Sequence, residues 1–187
     1  MGQCLTNSIL TSADSSIISL FNSATDFTIE YWQYVPYNAN VGPAIYLFSQ
    51  NNDTGYVQIV IDYSSPYYRN GVSVILKIQY DRTSIIKCAT YDYAASVPPN
   101  KWNHIAFCRY GSKLYLYING SLTTSRDISK YPGIHGSSNP IILNTTQISM
   151  SNFKIYPYAK YTANFILFTG GSRLFEDSFK NYYGRMN

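Results

Sequence analysis

Lys101 to Gly120 reads KWNHIAFCRYGSKLYLYING, and strand pattern, turn chemistry and register agree along its whole length. Trp102 to Arg109 and Leu114 to Ile118 are runs rich in aromatic and branched residues, which suit a pleated, half-buried surface. Between them Gly111-Ser112 is a Gly-X pair fit for a two-residue type II′ turn. Pairing Tyr110 with Lys113 sets Phe107 opposite Leu116 and Ile105 opposite Ile118 on one face. Cys108 then faces Tyr115, and Ala106 faces Tyr117, on the other, with no misfit in the register. Asn119-Gly120 is the favoured type I′ pair and returns the chain through Ser121 to Arg126, giving a three-stranded meander. Its apolar partner surface must come from elsewhere in the chain.

At 187 residues the chain is long enough for one domain with a real core and too short for two ordinary ones. Charged residues make up only 13% while aromatics reach 17%, with twenty Tyr, a balance that favours strands and Tyr-rich contact surfaces over helices or disorder. The net charge is +4, and the fourteen Lys and Arg are scattered; a nucleic-acid partner would call for a basic stripe. Cys4, Cys88 and Cys108 form no metal-spaced pair. Two lie in predicted strands, which suggests buried free thiols from a reducing compartment, with a Cys88–Cys108 bridge as the alternative. No signal-peptide core or membrane-spanning apolar run is seen, so no membrane span and no secretory route are expected. Met1 to Thr6, MGQCLT, fits a myristoylation pattern that is short enough to recur by chance.

In chain order, Ile17 to Phe21 is the expected first or second strand. Asp26 to Val35 follows, with Phe27, Ile29, Tyr31 and Gln33 on one face and Thr28, Glu30, Trp32 and Tyr34 on the other. Pro36 and the loop Asn38 to Pro43 end it. Further strands are expected at Ala44 to Ser49, Tyr56 to Tyr63, Val72 to Tyr80, Ser84 to Tyr91, Ile141 to Asn144 and Gln147 to Tyr156. No helical period is sustained anywhere. Ten to fourteen short strands between turn signals predict an all-β chain, a two-sheet antiparallel β-sandwich or jelly roll. The sandwich is expected over 1–165, followed by a C-terminal extension over 166–187 that packs back or reaches a neighbouring subunit.

Three motifs together resemble the concanavalin A-like lectin/glucanase superfamily, in its laminin G-like branch. Asp26 to Trp32 is similar to that branch's aromatic-Thr-Ile-Glu-aromatic-Trp strand. Lys101 to Gly120 resembles its Trp-x-His-Val-Ala and Leu-Tyr-Val-Asn-Gly hairpin. Ser151 to Ile155, followed by Ala159 to Phe165, looks like a closing strand and an Arg-Tyr-Thr-x-Asn-Phe segment, a form common in phage structural and tail-fibre proteins. The resemblance covers about residues 15–165 and implies a concanavalin A-like sandwich. It leaves function open, since this sandwich carries enzymes, lectins and structural modules.

A retaining glycoside hydrolase needs two carboxylates about 5 Å apart. The two Glu residues, Glu30 and Glu176, lie at opposite ends of the chain, and no Asp sits two positions from either on a shared strand face; no enzyme activity is expected. Glu30 matches a framework position and is expected to be structural, hydrogen-bonded near Trp32. His104, mid-strand and without ligands at metal spacing, is expected to be a satisfied core histidine. The weak candidate for Ca²⁺ is Asp53, in Asn51-Asn52-Asp53, where one carboxylate is thin for such a site; no cofactor is expected. Sugar binding uses aromatic faces beside amides and charges, and the densest such sets are Tyr63, Tyr67, Tyr68, Arg69 and Asn70, then Tyr91 and Tyr93. Leu174, Phe175, Phe179, Tyr182 and Tyr183 are the candidates for an assembly arm. The first functional expectation is a non-enzymatic virion component, made in the host cytoplasm. It would decorate or cement a capsid or tail in many copies, with other virion proteins as partners. The alternative is a host-recognition module that captures cell-surface glycans.

Overall fold

The computed structural model describes residues 4–6, 9–12, 25–36, 43–49, 56–62, 73–79, 85–89, 97–129, 141–144 and 148–167. Among them are twelve strands: β1 (Cys4–Thr6), β2 (Ile9–Ser12), β3 (Phe27–Tyr34), β4 (Pro43–Ser49), β5 (Tyr56–Asp62), β6 (Ser73–Gln79), β7 (Ile85–Ala89), β8 (Trp102–Tyr110), β9 (Lys113–Ile118), β10 (Ser121–Asp127), β11 (Ile141–Asn144) and β12 (Ser149–Tyr156). They form two antiparallel six-stranded sheets. One has the order β1-β12-β3-β8-β9-β10 and the other β2-β11-β4-β5-β6-β7, so the expected all-β sandwich is the fold. The first or second strand expected at Ile17 to Phe21 lies outside the described residues. The structure adds β1 and β2, edge strands too short to carry a period of their own, each held by pairing with a partner strand, β12 or β11.

The β8–β9 hairpin has the register its sequence dictates: Tyr110 pairs Lys113, Phe107 pairs Leu116 and Ile105 pairs Ile118. Positive φ at Gly111 (56°), and at Asn119 (50°) and Gly120 (81°), marks the two turns, in keeping with types II′ and I′. Strand β3 pairs β8 without a break, from Phe27 with Arg109 to Tyr34 with Trp102. The inner face of this sheet carries Phe27, Ile29, Tyr31, Ile105, Phe107, Leu114 and Leu116, all buried, opposite Val74, Leu76 and Cys88 of the other sheet. Each such side chain contributes about 1.5–3 kcal/mol of hydrophobic burial. Cys88 and Cys108 are free and buried. The Sγ of Cys88 lies 3.8 Å from the Leu114 carbonyl oxygen, between the sheets. Cys108 packs with Ala106 and Tyr117 on the outer side of its own sheet, so the bridge left open by the sequence is not formed: the two thiols are on opposite faces.

Strict alternation would leave the outer face exposed, yet Thr28, Glu30, His104, Ala106, Cys108 and Tyr117 on that face are buried. Residues 157–167 form a strap with no regular secondary structure that covers them. Its tightest seat is the β9–β10 turn, where the Phe165 N–H donates to the Gly120 carbonyl at 2.8 Å. A Cβ built on Gly120 would collide with the Phe165 carbonyl oxygen, whereas one on Gly111 meets nothing within 4 Å. Gly111→Ala is therefore expected to cost about 1 kcal/mol, the left-handed strain alone. Gly120→Ala is expected to cost about 2–4 kcal/mol, because the strap must also lift. Urea unfolding of the two variants measures the difference, and equal losses would show that the strap does not depend on Gly120.

Candidate functional site

The strap is tied to the sheet at three places. At Thr28, the Oγ1 hydroxyl donates to the Tyr158 carbonyl and accepts the Lys160 N–H, both at 2.9 Å. At the hairpin end, Tyr161 and Phe165 stack at 3.6 Å between centroids with planes 8° apart, and both rings meet Tyr117. The Leu122 N–H donates to Asn164 Oδ1 at 2.7 Å.

The third tie is ionic. Glu30, from the middle of β3, is buried. Its Oε1 accepts from Lys160 Nζ at 2.8 Å and from the Tyr156 hydroxyl at 3.0 Å, and its Oε2 accepts from the Tyr161 hydroxyl at 2.5 Å. Lys160 also sits over the Tyr156 and Tyr161 rings, 4.6 and 5.1 Å from their centroids. Burial by itself would raise the Glu30 pKa. The His104 ring, the Lys160 and Tyr161 bonds and the Lys160 charge reverse that effect and hold the carboxyl well below its ordinary 4.5. His104 Nε2, at 3.7 Å from Oε2, is too far for a strong bond, so the short Lys160 and Tyr161 contacts dominate. Tyr161 is pushed up to about 12 by burial and by its bond to the carboxylate. Burial lowers Lys160, but the bonds to Glu30 and Tyr161 outweigh it and hold the ammonium above its ordinary 10.5.

Glu30 is thus structural, as expected, but its partners are the strap's Lys160 and Tyr161 and the Tyr156 of β12. His104 also serves the framework. Its backbone N–H donates to Asn119 Oδ1 at 2.9 Å, Asn119 Nδ2 donates to Asn103 Oδ1 at 3.1 Å, and Asn103 Nδ2 donates to the Pro98 and Lys101 carbonyls. Its ring lies edge-on to Trp32 and Phe165. Unlike the satisfied core histidine expected from sequence, it keeps Nδ1 buried with no hydrogen-bond partner among the described residues.

Past Phe165 the described residues of the outer face are partly exposed, His104 excepted. The two rows left there are Ser149–Tyr34–Trp102 and Ser151–Trp32–His104, read across β12, β3 and β8. Trp102 is 42% exposed, with Tyr34, Trp32, Ser149 and Ser151 half-buried. The Tyr34 and Trp102 rings lie 5.9 Å apart with planes at 52°. A second aromatic pair, Tyr156 and Tyr158, stands at the other end of the face, where Tyr156 is committed to the Glu30 clamp.

Tyr63, Tyr67, Tyr68, Arg69, Asn70, Tyr91 and Tyr93, the weak metal candidate Asp53, and the assembly candidates Leu174, Phe175, Phe179, Tyr182 and Tyr183 all lie outside the described residues. So does most of the 166–187 extension. Among the described residues no His, Cys, Asp and Glu side chains gather into a group able to hold a metal ion. Density of aromatic residues does not single out Trp102 and Tyr34. The signal that finds them is register: the alternation puts Tyr34 on the face away from the core, and Trp102 is its cross-strand partner.

A family model described as the concanavalin A-like lectin/glucanases superfamily matches residues 6–160. No curated protein sequence matches the chain. Among solved structures, the botulinum neurotoxin serotype G binding domain is similar, with a TM-score of 0.58 and 20% identity, over 84% of this chain and 40% of that one. The binding domain of botulinum neurotoxin DC, in a structure described as a complex with SialylT, gives a TM-score of 0.57 and 18% identity over 82% and 36%. A botulinum neurotoxin type C structure, whose description makes cell entry dependent on two ganglioside molecules, gives 0.55 and 19% over 82% and 37%. The chain spans about two fifths of the length of these structures, and at such identities the likeness is one of fold.

Because the Glu30 pKa is lowered on folding, its contribution to stability is complete above the ordinary value of 4.5 and is lost as pH falls below it. Glu30→Gln is expected to cost about 1–3 kcal/mol at neutral pH, a range reduced for the one-third-exposed Lys160. The gap to wild type should narrow between about pH 5 and pH 3. Urea unfolding of both proteins across that interval checks this; a gap independent of pH would show that the carboxylate is not the tie.

Proposed function

The chain belongs to the concanavalin A-like lectin/glucanases superfamily, and from that premise we propose that it is a non-enzymatic glycan-binding module whose ligand rests on the open end of the outer face. The observation that carries this is the half-exposed Trp102 beside Tyr34 on two fully paired strands. A sugar ring has one face rich in C–H bonds and a rim of hydroxyls. An aromatic ring takes the face, and small polar side chains take the rim. Ser149 and Ser151 sit in the same rows and supply such groups. Paired strands hold the rings in place before the ligand arrives, so little ordering entropy is lost on binding.

Glu30 lends no support to hydrolysis. A general acid in glycoside cleavage needs a raised pKa, and this carboxyl is ion-paired and held low. The toxin binding domains of similar fold, with SialylT and ganglioside in their descriptions, agree with the glycan class. The virion reading rests on the resemblance to phage forms and on C-terminal residues beyond the described ones, and no contact among the described residues favours it. On a phage particle the same module would serve host recognition.

A glycan array on the purified chain tests the proposal. Specific binding is expected, with Trp102→Ala weakening it at least about tenfold, as befits a central aromatic anchor, while the circular dichroism spectrum stays that of wild type. Binding that is indifferent to Trp102 but lost in the Tyr67→Ala, Tyr68→Ala double variant would move the site to the Tyr-rich loop. Absence of any glycan binding would overturn the proposal.

A further inference from the structure

Resting on the glycan reading, we infer that the site takes a single terminal pyranose, rather than a run of rings within a polysaccharide chain. The first reason is the angle between the rings. Surfaces that bind flat polysaccharide chains need aromatic planes lying in one plane, so that successive sugars stack on successive rings. Tyr34 and Trp102 are inclined at 52° with centroids 5.9 Å apart. One sugar can lie flat on one of them and meet the other along its edge; a second sugar in line would have no ring parallel to it. Trp32, in the neighbouring row, is engaged in a T-shaped contact with His104 at 5.3 Å and 64°.

The second reason is the footprint. Trp32, Tyr34 and Trp102 occupy two strands and two rows of the sheet, about 5 Å across the strands and about 7 Å along them. Along the strands the next row, with Glu30 and Ala106, is roofed by the strap. Phe165 closes that side, its ring 5.9 Å from His104 and its N–H on the Gly120 carbonyl. A glycan therefore enters with its end against the strap. Stacking on Trp102 also requires a ring face without axial hydroxyls, and the Ser149 and Ser151 hydroxyls would read the groups along the ring's rim.

The chain has two tryptophans, Trp32 and Trp102; because Trp32 borders the site, emission is read in the wild-type protein, and Trp102→Phe assigns the part that comes from Trp102. The probes are methyl glycosides of galactose, glucose, mannose, N-acetylglucosamine and sialic acid, oligosaccharides ending in each, the same chains capped by one further sugar, and insoluble cellulose and chitin. At least one methyl glycoside is expected to shift Trp102 emission. Longer chains with the same end should bind within about tenfold of it, and capping the end should cost at least about tenfold. Affinity that climbs with each added ring, or retention on cellulose or chitin without a response to any methyl glycoside, overturns this inference and leaves glycan binding standing. No response of Trp102 to any probe overturns both.

Discussion

Glu30 is a charge set in the middle of a sheet face that is otherwise roofed by aromatic rings, and a buried carboxylate stays ionised only if donors and a counter-charge come with it. Here they come from the strap: Lys160 and Tyr161, with Tyr156 from β12, satisfy both oxygens. The requirement runs both ways. The carboxylate fixes where the strap must cross, and the strap removes the carboxylate from water. The aromatic stack of Tyr161 on Phe165 over Tyr117 and the Gly120 contact follow from that crossing point.

One consequence is a division of the outer face. The half beneath the strap becomes a second, smaller core, with Ala106, Cys108 and Tyr117 as its floor. The other half remains a solvent-facing sheet surface with tryptophan and tyrosine on it. The strap's ties to Thr28 and Glu30 thus explain why identical alternation along β3 yields these two buried and Trp32 and Tyr34 half-buried. They also explain why His104, in the most conspicuous motif, serves the framework: it sits on the boundary, held by Asn119 and flanked by Trp32 and Phe165.

The fold was legible because its signals are local. Gly111-Ser112 and Asn119-Gly120 each need positive φ that few residue types accept, and a two-residue turn leaves the flanking strands one register. The pairing of β8 with β9 follows from those four residues and is what the structure contains. The short edge strands β1 and β2 were not legible, since three or four residues carry no period and form only against β12 and β11. Glu30 could be assigned a structural role from its place in a framework strand, but not its partners, which lie 126 to 131 positions away.

The sequence by itself determined the class of fold, the central hairpin and its register, and which residues of β3 face the core, because turn chemistry and the two-residue period of a strand act over a few neighbours. Tertiary structure alone decided which part of the outer face is sealed, that Cys88 and Cys108 lie on opposite sides of one sheet, and that Tyr34 and Trp102 stand together, tilted and open. Those outcomes depend on where an irregular strap crosses a sheet, and that is set by ion pairing between residues 130 positions apart and by ring packing of Tyr117 with Tyr161 and Phe165, which no local pattern encodes.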